Sequence, residues 1–158
     1  MDWVSGDGVP YIDDPALVDA AFERGERDLG SAVIGLAFNC SLEEASPRIV
    51  RAMRLAEAMQ RGFAFTAAGV AARLHGELTP ELYAALRAEG AKGLAVYAIN
   101  DTLAYVPFRK LPPWFKWQWV LGMVRNAVEG WWLRLADAVV DAWRALRERR
   151  VRGSGGPK

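Results

Sequence analysis

The feature that most restricts how this chain can fold is its last third. From Pro112-Pro113 the sequence runs to about Arg150 without a proline, and only Gly122 and Gly130 weaken it. Within that run the positions expected to face inward, Leu121, Val124, Val128, Trp131, Leu135, Ala138, Ala142 and Leu146, recur at steps of three or four. That spacing keeps one face of a helix apolar and lies close to a heptad seam. At 1.5 Å per residue, roughly 38 helical residues would extend on the order of 55 Å. The expectation is an all-α helical bundle with a long C-terminal helix over about residues 113–150, in a single helical domain spanning 1–152. Residues 1–14 form an acidic arm and 153–158 a Gly-rich tail.

The same stretch is rich in large aromatic rings: Trp114, Phe115, Trp117 and Trp119, then Trp131, Trp132 and Trp143. An indole carries a large apolar surface and one N–H that needs a partner. A small bundle has little room for so many along one helix. Three settings accommodate them: the chain's own core, a subunit interface where tryptophan is a favoured anchor, and a lipid surface where indoles sit at headgroup depth beside cations such as Lys116. An interface of some kind is the expectation.

The rest of the chain reads as shorter helices. Asp14-Pro15 has the N-cap and N1 signature and predicts a helix from Pro15 to about Leu29, with Gly25 a weak point and Gly30 its exit. The apolar run from Ser31 to Phe38 fits a helix or a strand by length, and we read it as helix. Ser41 and Glu44 have capping-box spacing, and Ser46-Pro47 repeats the N-cap signature. We place a helix from Pro47 to Arg61, with Ile49, Val50, Met53, Ala56 and Met59 inward and Arg48, Arg51 and Arg54 on another side. Thr66 is expected to cap a helix through Leu74, Thr79-Pro80 to open one that stops at Gly90, and Leu94 to Val106 to form a helix that Pro107 ends.

A net charge of +1 conceals a strong asymmetry. Residues 1–30 hold eight acids against Arg24 and Arg27, a net of −6, whereas residues 101–158 hold eleven bases against five acids, a net of +6. Such a charge dipole favours head-to-tail self-association or a basic face turned to a polyanion. Arg144, Arg147, Arg149, Arg150 and Arg152 make the basic end, and Arg109, Lys110 and Lys116 precede the aromatic run. Arginines at a helix C-terminus also offset the macrodipole. Their continuation past the helix suits contacts to phosphate, which position a protein on nucleic acid without reading sequence.

Catalysis and metal binding find little footing. Cys40 is the one cysteine and His75 the one histidine, so neither an internal disulfide nor a Cys/His zinc site can be assembled. No phosphate-cradling glycine loop or dinucleotide fingerprint occurs. The expectation is a non-enzymatic protein that needs no cofactor. Residues 1–10 are polar and acidic, unlike a cleavable signal, and no run of 18 apolar residues occurs. Residues 66–86 loosely follow a helix-turn-helix outline, but the second helix offers Glu81, Leu82, Tyr83 and Glu89 where a groove reader needs Arg, Asn or Gln.

Arginine outnumbers lysine sixteen to four and only five amides occur, which points to a GC-rich or heat-adapted source. Taken with the short all-helical chain, the aromatic helix from Trp114 to Trp143, the separated basic clusters and the glycine tail, the sequence loosely resembles the coat proteins of filamentous and rod-shaped viruses of hyperthermophilic archaea. The resemblance covers the whole chain and no motif carries it. It implies a virion capsid or nucleocapsid subunit that associates with itself or with a paralogous coat subunit and wraps double-stranded DNA through arginine contacts with the backbone, sometimes beneath a lipid envelope. The acidic N-terminus departs from the basic arm such proteins often use, so Arg48, Arg51, Arg54 and the C-terminal arginines stand as the DNA contacts. A peripheral membrane-surface protein and a small helix-turn-helix-like regulator are the other readings.

Overall fold

Capping chemistry opens the first helix where the sequence predicts it. In the computed structural model, which describes Trp3 and residues 8–125, the Asp14 carboxylate accepts from the N–H of Ala16 and Leu17 and starts α1, Pro15–Arg24. The helix stops earlier than expected, because Gly25 takes a left-handed conformation (φ 65°) and closes it. A glycine adopts this conformation without the steric cost of a side chain. Leu29 therefore begins the next helix, α2, Leu29–Asn39, which settles the apolar run around Ser31–Phe38 as helix.

The largest departure concerns the helix expected from Pro47 to Arg61. The Ser41–Glu44 capping box forms in full and starts α3, Leu42–Ala52, so Pro47 lies inside a helix already under way. Proline removes one backbone hydrogen bond there, and the neighbouring Ser46 hydroxyl is buried without a partner. α3 then ends at Ala52. The turn that follows is closed by Arg61, whose Nη1 donates to the carbonyls of Leu55 and Ala56 at 2.9 and 2.7 Å. Ala56 and Met59, expected inside, are exposed as a result. From Ala58 the chain enters α4, Ala58–His75, and Thr66 falls in its middle. Its hydroxyl donates to the Gly62 carbonyl one turn back (3.1 Å) and caps nothing.

α5, Pro80–Glu89, opens on Thr79, whose hydroxyl accepts from the Leu82 N–H, and gives way at Gly90; α6, Val96–Tyr105, ends before Pro107. These three boundaries follow the sequence reading. Short 3-10 turns occupy Val9–Tyr11 and Phe108–Lys110. Among the described residues there is no strand.

Two compact units divide the chain, Met1–Lys116 and Trp117–Lys158. In the first, α4 packs between α2 and α6, with α3 against α2 and α4, α5 against α3, and α1 against α2 and α3. Close approach rests on small residues. A Cβ on Gly30 of α2 would lie 2.3 Å from the Gln60 backbone oxygen, and one on Gly69 of α4 would lie 3.3 Å from the Ala98 Cα on α6. Gln60 is buried, and its side-chain oxygen accepts from the Gly30 N–H at 2.7 Å, serving one of the donors that the α2 N-terminus exposes. Leu36, Ile49, Leu82, Leu86, Val9, Val18, Val33 and Phe115 are the large side chains fully buried in the core. Residues 113–116 of this unit are helical, as are 117–125, the described residues of the second unit. The start at Pro113 agrees with the sequence. Residues 126–150 of the expected long helix lie outside the described residues.

Candidate functional site

Of the basic stripe on α3, two arginines are held by acids of α1. The Arg48 guanidinium grips the Asp19 carboxylate through Nε (3.0 Å) and Nη2, and its Nη1 donates to the Glu44 carbonyl at 2.7 Å. Its side chain is 21% exposed. A two-pronged pair in that setting positions the helices. Arg51 pairs with Glu23 at 2.9 Å and lies 4.5 Å from the Phe22 ring centre. Asp19 and Glu23 belong to the acidic N-terminal segment, so part of that segment's charge is matched within the unit. Arg54, beyond the end of α3, is exposed and without an ion pair among the described residues; it lines a groove of about 560 Å³ with Glu81 and Glu89.

Of the cations ahead of the aromatic run, only Lys110 has an ion pair among the described residues. Lys110 reaches Glu77 at 2.7 Å, and this hydrogen bond holds the Glu77 carboxyl below its ordinary range. Lys116 lies 5.6 Å from the Phe108 ring centre. Arg109 is exposed and makes no ion pair among the described residues. Nearby, and not singled out by the sequence, Arg73 pairs with Asp101 at 2.8 Å and lies 5.4 Å from the ring centre of Tyr105, which is exposed. Its signal was weak because Arg73 and Tyr105 sit on different helices. Arg144, Arg147, Arg149, Arg150 and Arg152 lie outside the described residues.

The aromatic run separates into two kinds of residue. Phe115 is 1% exposed and meets Tyr83 and Trp114 edge to face, with ring centres 5.1 and 4.8 Å apart. Trp114 is half-buried against the same core. Trp117, by contrast, is 60% exposed, and Leu121 and Val124, expected to face inward, follow it at steps of four and three and are 44% and 56% exposed. Residues 117, 121 and 124 share one face of a helix. Trp119 is half-buried. Trp131, Trp132 and Trp143 lie outside the described residues.

Candidate chemistry is sparse among the described residues. They contain no group of three or more His, Cys, Asp or Glu side chains placed to hold a metal ion. Burial pushes the Cys40 thiol above its ordinary pKa, the carboxylates of Glu44 and Asp13 add to that shift, and its Sγ donates to the Asp13 carbonyl at 3.3 Å. A raised thiol is a weak nucleophile. No described helix is long and apolar enough to cross a membrane. α5 exposes Glu81, Arg87 and Glu89, two acids to one base, a poor face for a DNA groove.

No protein-family model matches the chain, and comparison with curated proteins and with solved structures found no match.

Proposed function

We propose that this protein is a non-enzymatic structural subunit that associates with itself, or with a paralogous coat subunit, through the helix beginning at residue 113. In this reading it coats DNA through arginine contacts with the phosphate backbone, as a virion capsid or nucleocapsid protein does. The observation that carries the self-association is the open face of Trp117, Leu121 and Val124. We extend this helix to about Arg150, because the apolar steps of three and four continue in the sequence through Leu146. A repeated apolar edge on a charged helix is stabilised when a like edge covers it.

Arg48 and Arg51 serve the packing of α1 on α3, so nucleic acid contact is assigned chiefly to Arg109 and Lys116, which have no ion pair among the described residues, and, from the sequence alone, to the arginines of 144–152. Backbone contact of this kind neutralises phosphates and releases counterions, which makes affinity fall steeply with salt. Fluorescence anisotropy with a short duplex of random sequence is expected to show log K falling linearly with log salt, by about 0.9 per phosphate neutralised. Changing Arg144, Arg147, Arg149, Arg150 and Arg152 to Gln should flatten that slope. No binding at low salt, or binding indifferent to salt, contradicts the proposal. Anionic vesicles compete for the same features, since Trp117 is exposed beside Lys116. Flotation with vesicles that is lost on replacing Trp117, and no DNA binding, would favour a membrane-surface protein instead.

A further inference from the structure

A second pocket lies between the start of α5 and the residues leading into the 113–116 helical turn. Its volume is about 490 Å³, within the range of small-molecule sites. Leu78, Pro80, Tyr83 and Ala84 line one side, and Pro112, Pro113, Trp114 and Phe115 the other. The walls are rigid. Prolines fix their own backbone, and the Tyr83, Phe115 and Trp114 rings brace one another edge to face. The Tyr83 hydroxyl is shut off from solvent, with the Leu78 backbone near it but without the geometry of a full hydrogen bond; burial raises its pKa, so the phenol is neutral at pH 7. An open pocket lined with flat rings and poor in polar groups suits a flat apolar body.

Among the described residues, Arg87 is the only charged one lining this pocket, and it has no ion pair there. The neighbouring groove around Arg54 differs, because Glu81 and Glu89 line it too. We propose that the Tyr83–Trp114 pocket binds an aromatic monocarboxylate, the ring system between the proline and aromatic walls and the carboxylate on Arg87. The guanidinium matches a carboxylate with two parallel N–H donors, and ring contacts to Trp114 add edge-to-face attraction.

The test uses the full chain with 2-naphthoate and its uncharged analogue 2-naphthamide, titrated by calorimetry. The wild-type protein is expected to bind naphthoate at least tenfold more tightly than the amide. Arg87→Gln should remove that preference and leave amide affinity within about twofold, since a charge-assisted hydrogen bond is the part withdrawn. Ala84→Leu, an exposed position on α5 that projects bulk into the pocket, should weaken both ligands. Both substitutions lie outside the buried core, and circular dichroism checks that the helices persist. Failure of naphthoate to bind at millimolar concentration overturns the proposal, as does equal affinity for acid and amide, or an unchanged preference in Arg87→Gln.

Discussion

Phe115→Ala is expected to lower the stability of the folded chain by about 3–5 kcal/mol, the cost of removing a buried aromatic ring and leaving a cavity. Phe115 is almost wholly buried and stands between Tyr83 and Trp114, so three elements of the aromatic cluster lose contacts together. Urea denaturation followed by circular dichroism measures it, as a lower midpoint at unchanged slope. Trp117→Ala is the contrast. That side chain is 60% exposed, and its removal should change stability by no more than about 0.5 kcal/mol. A pair of equal losses would show that the division of the aromatic run into core and surface residues is wrong.

Gly30→Ala is the second large effect. A methyl group there would clash with the Gln60 backbone oxygen, and a backbone atom where the first turns of two packed helices meet has little freedom to withdraw. The hydrogen bond from the Gly30 N–H to the Gln60 side chain would be strained at the same time. Overpacking with damage to a buried hydrogen bond should cost about 3 kcal/mol. In a chain of this size that corresponds to a fall in melting temperature of about 6–12 °C. Gly122→Ala is the control, since no atom lies within 4 Å of a Cβ placed there. It should be neutral or stabilising by up to about 1 kcal/mol, from helix propensity alone. A melting temperature for Gly30→Ala equal to wild type would mean that α2 and α4 do not approach as closely as described.

Local chemistry made several helix boundaries legible in the sequence. Asp14-Pro15 and Thr79-Pro80 begin helices because a capping side chain and a pre-set proline φ act within three residues and need no tertiary partner. Where two local signals competed, the sequence could mislead. Ser46-Pro47 resembles a helix start as closely as Ser41–Glu44 does, and the reciprocal capping box prevailed by satisfying two donors at once. The break after Ala52 was hidden for a different reason. It depends on Arg61 folding back onto the carbonyls of Leu55 and Ala56, a contact that no periodicity announces.

The candidate surfaces show the same division. A stripe of Arg48, Arg51 and Arg54 is visible from spacing, but its pairing with Asp19 and Glu23 arises only when α1 packs on α3. Likewise the run Trp114, Phe115 and Trp117 reads as one aromatic feature. Tyr83, distant in sequence, claims Phe115 for the core and leaves Trp117 on the surface. The acidic neighbours of Arg54, Glu81 and Glu89, likewise come from α5, a helix distant from it in sequence.

Sedimentation equilibrium over a range of protein concentrations tests the central claim most directly, comparing the wild-type chain with a variant in which Trp117, Leu121 and Val124 are all changed to Gln. The proposed structural subunit requires a wild-type mass that rises with concentration above that of the 17.4 kDa monomer, and a variant that stays monomeric with its melting temperature little changed. A wild-type protein that remains monomeric at the highest concentration reached, or a variant that associates as readily as wild type, would contradict it.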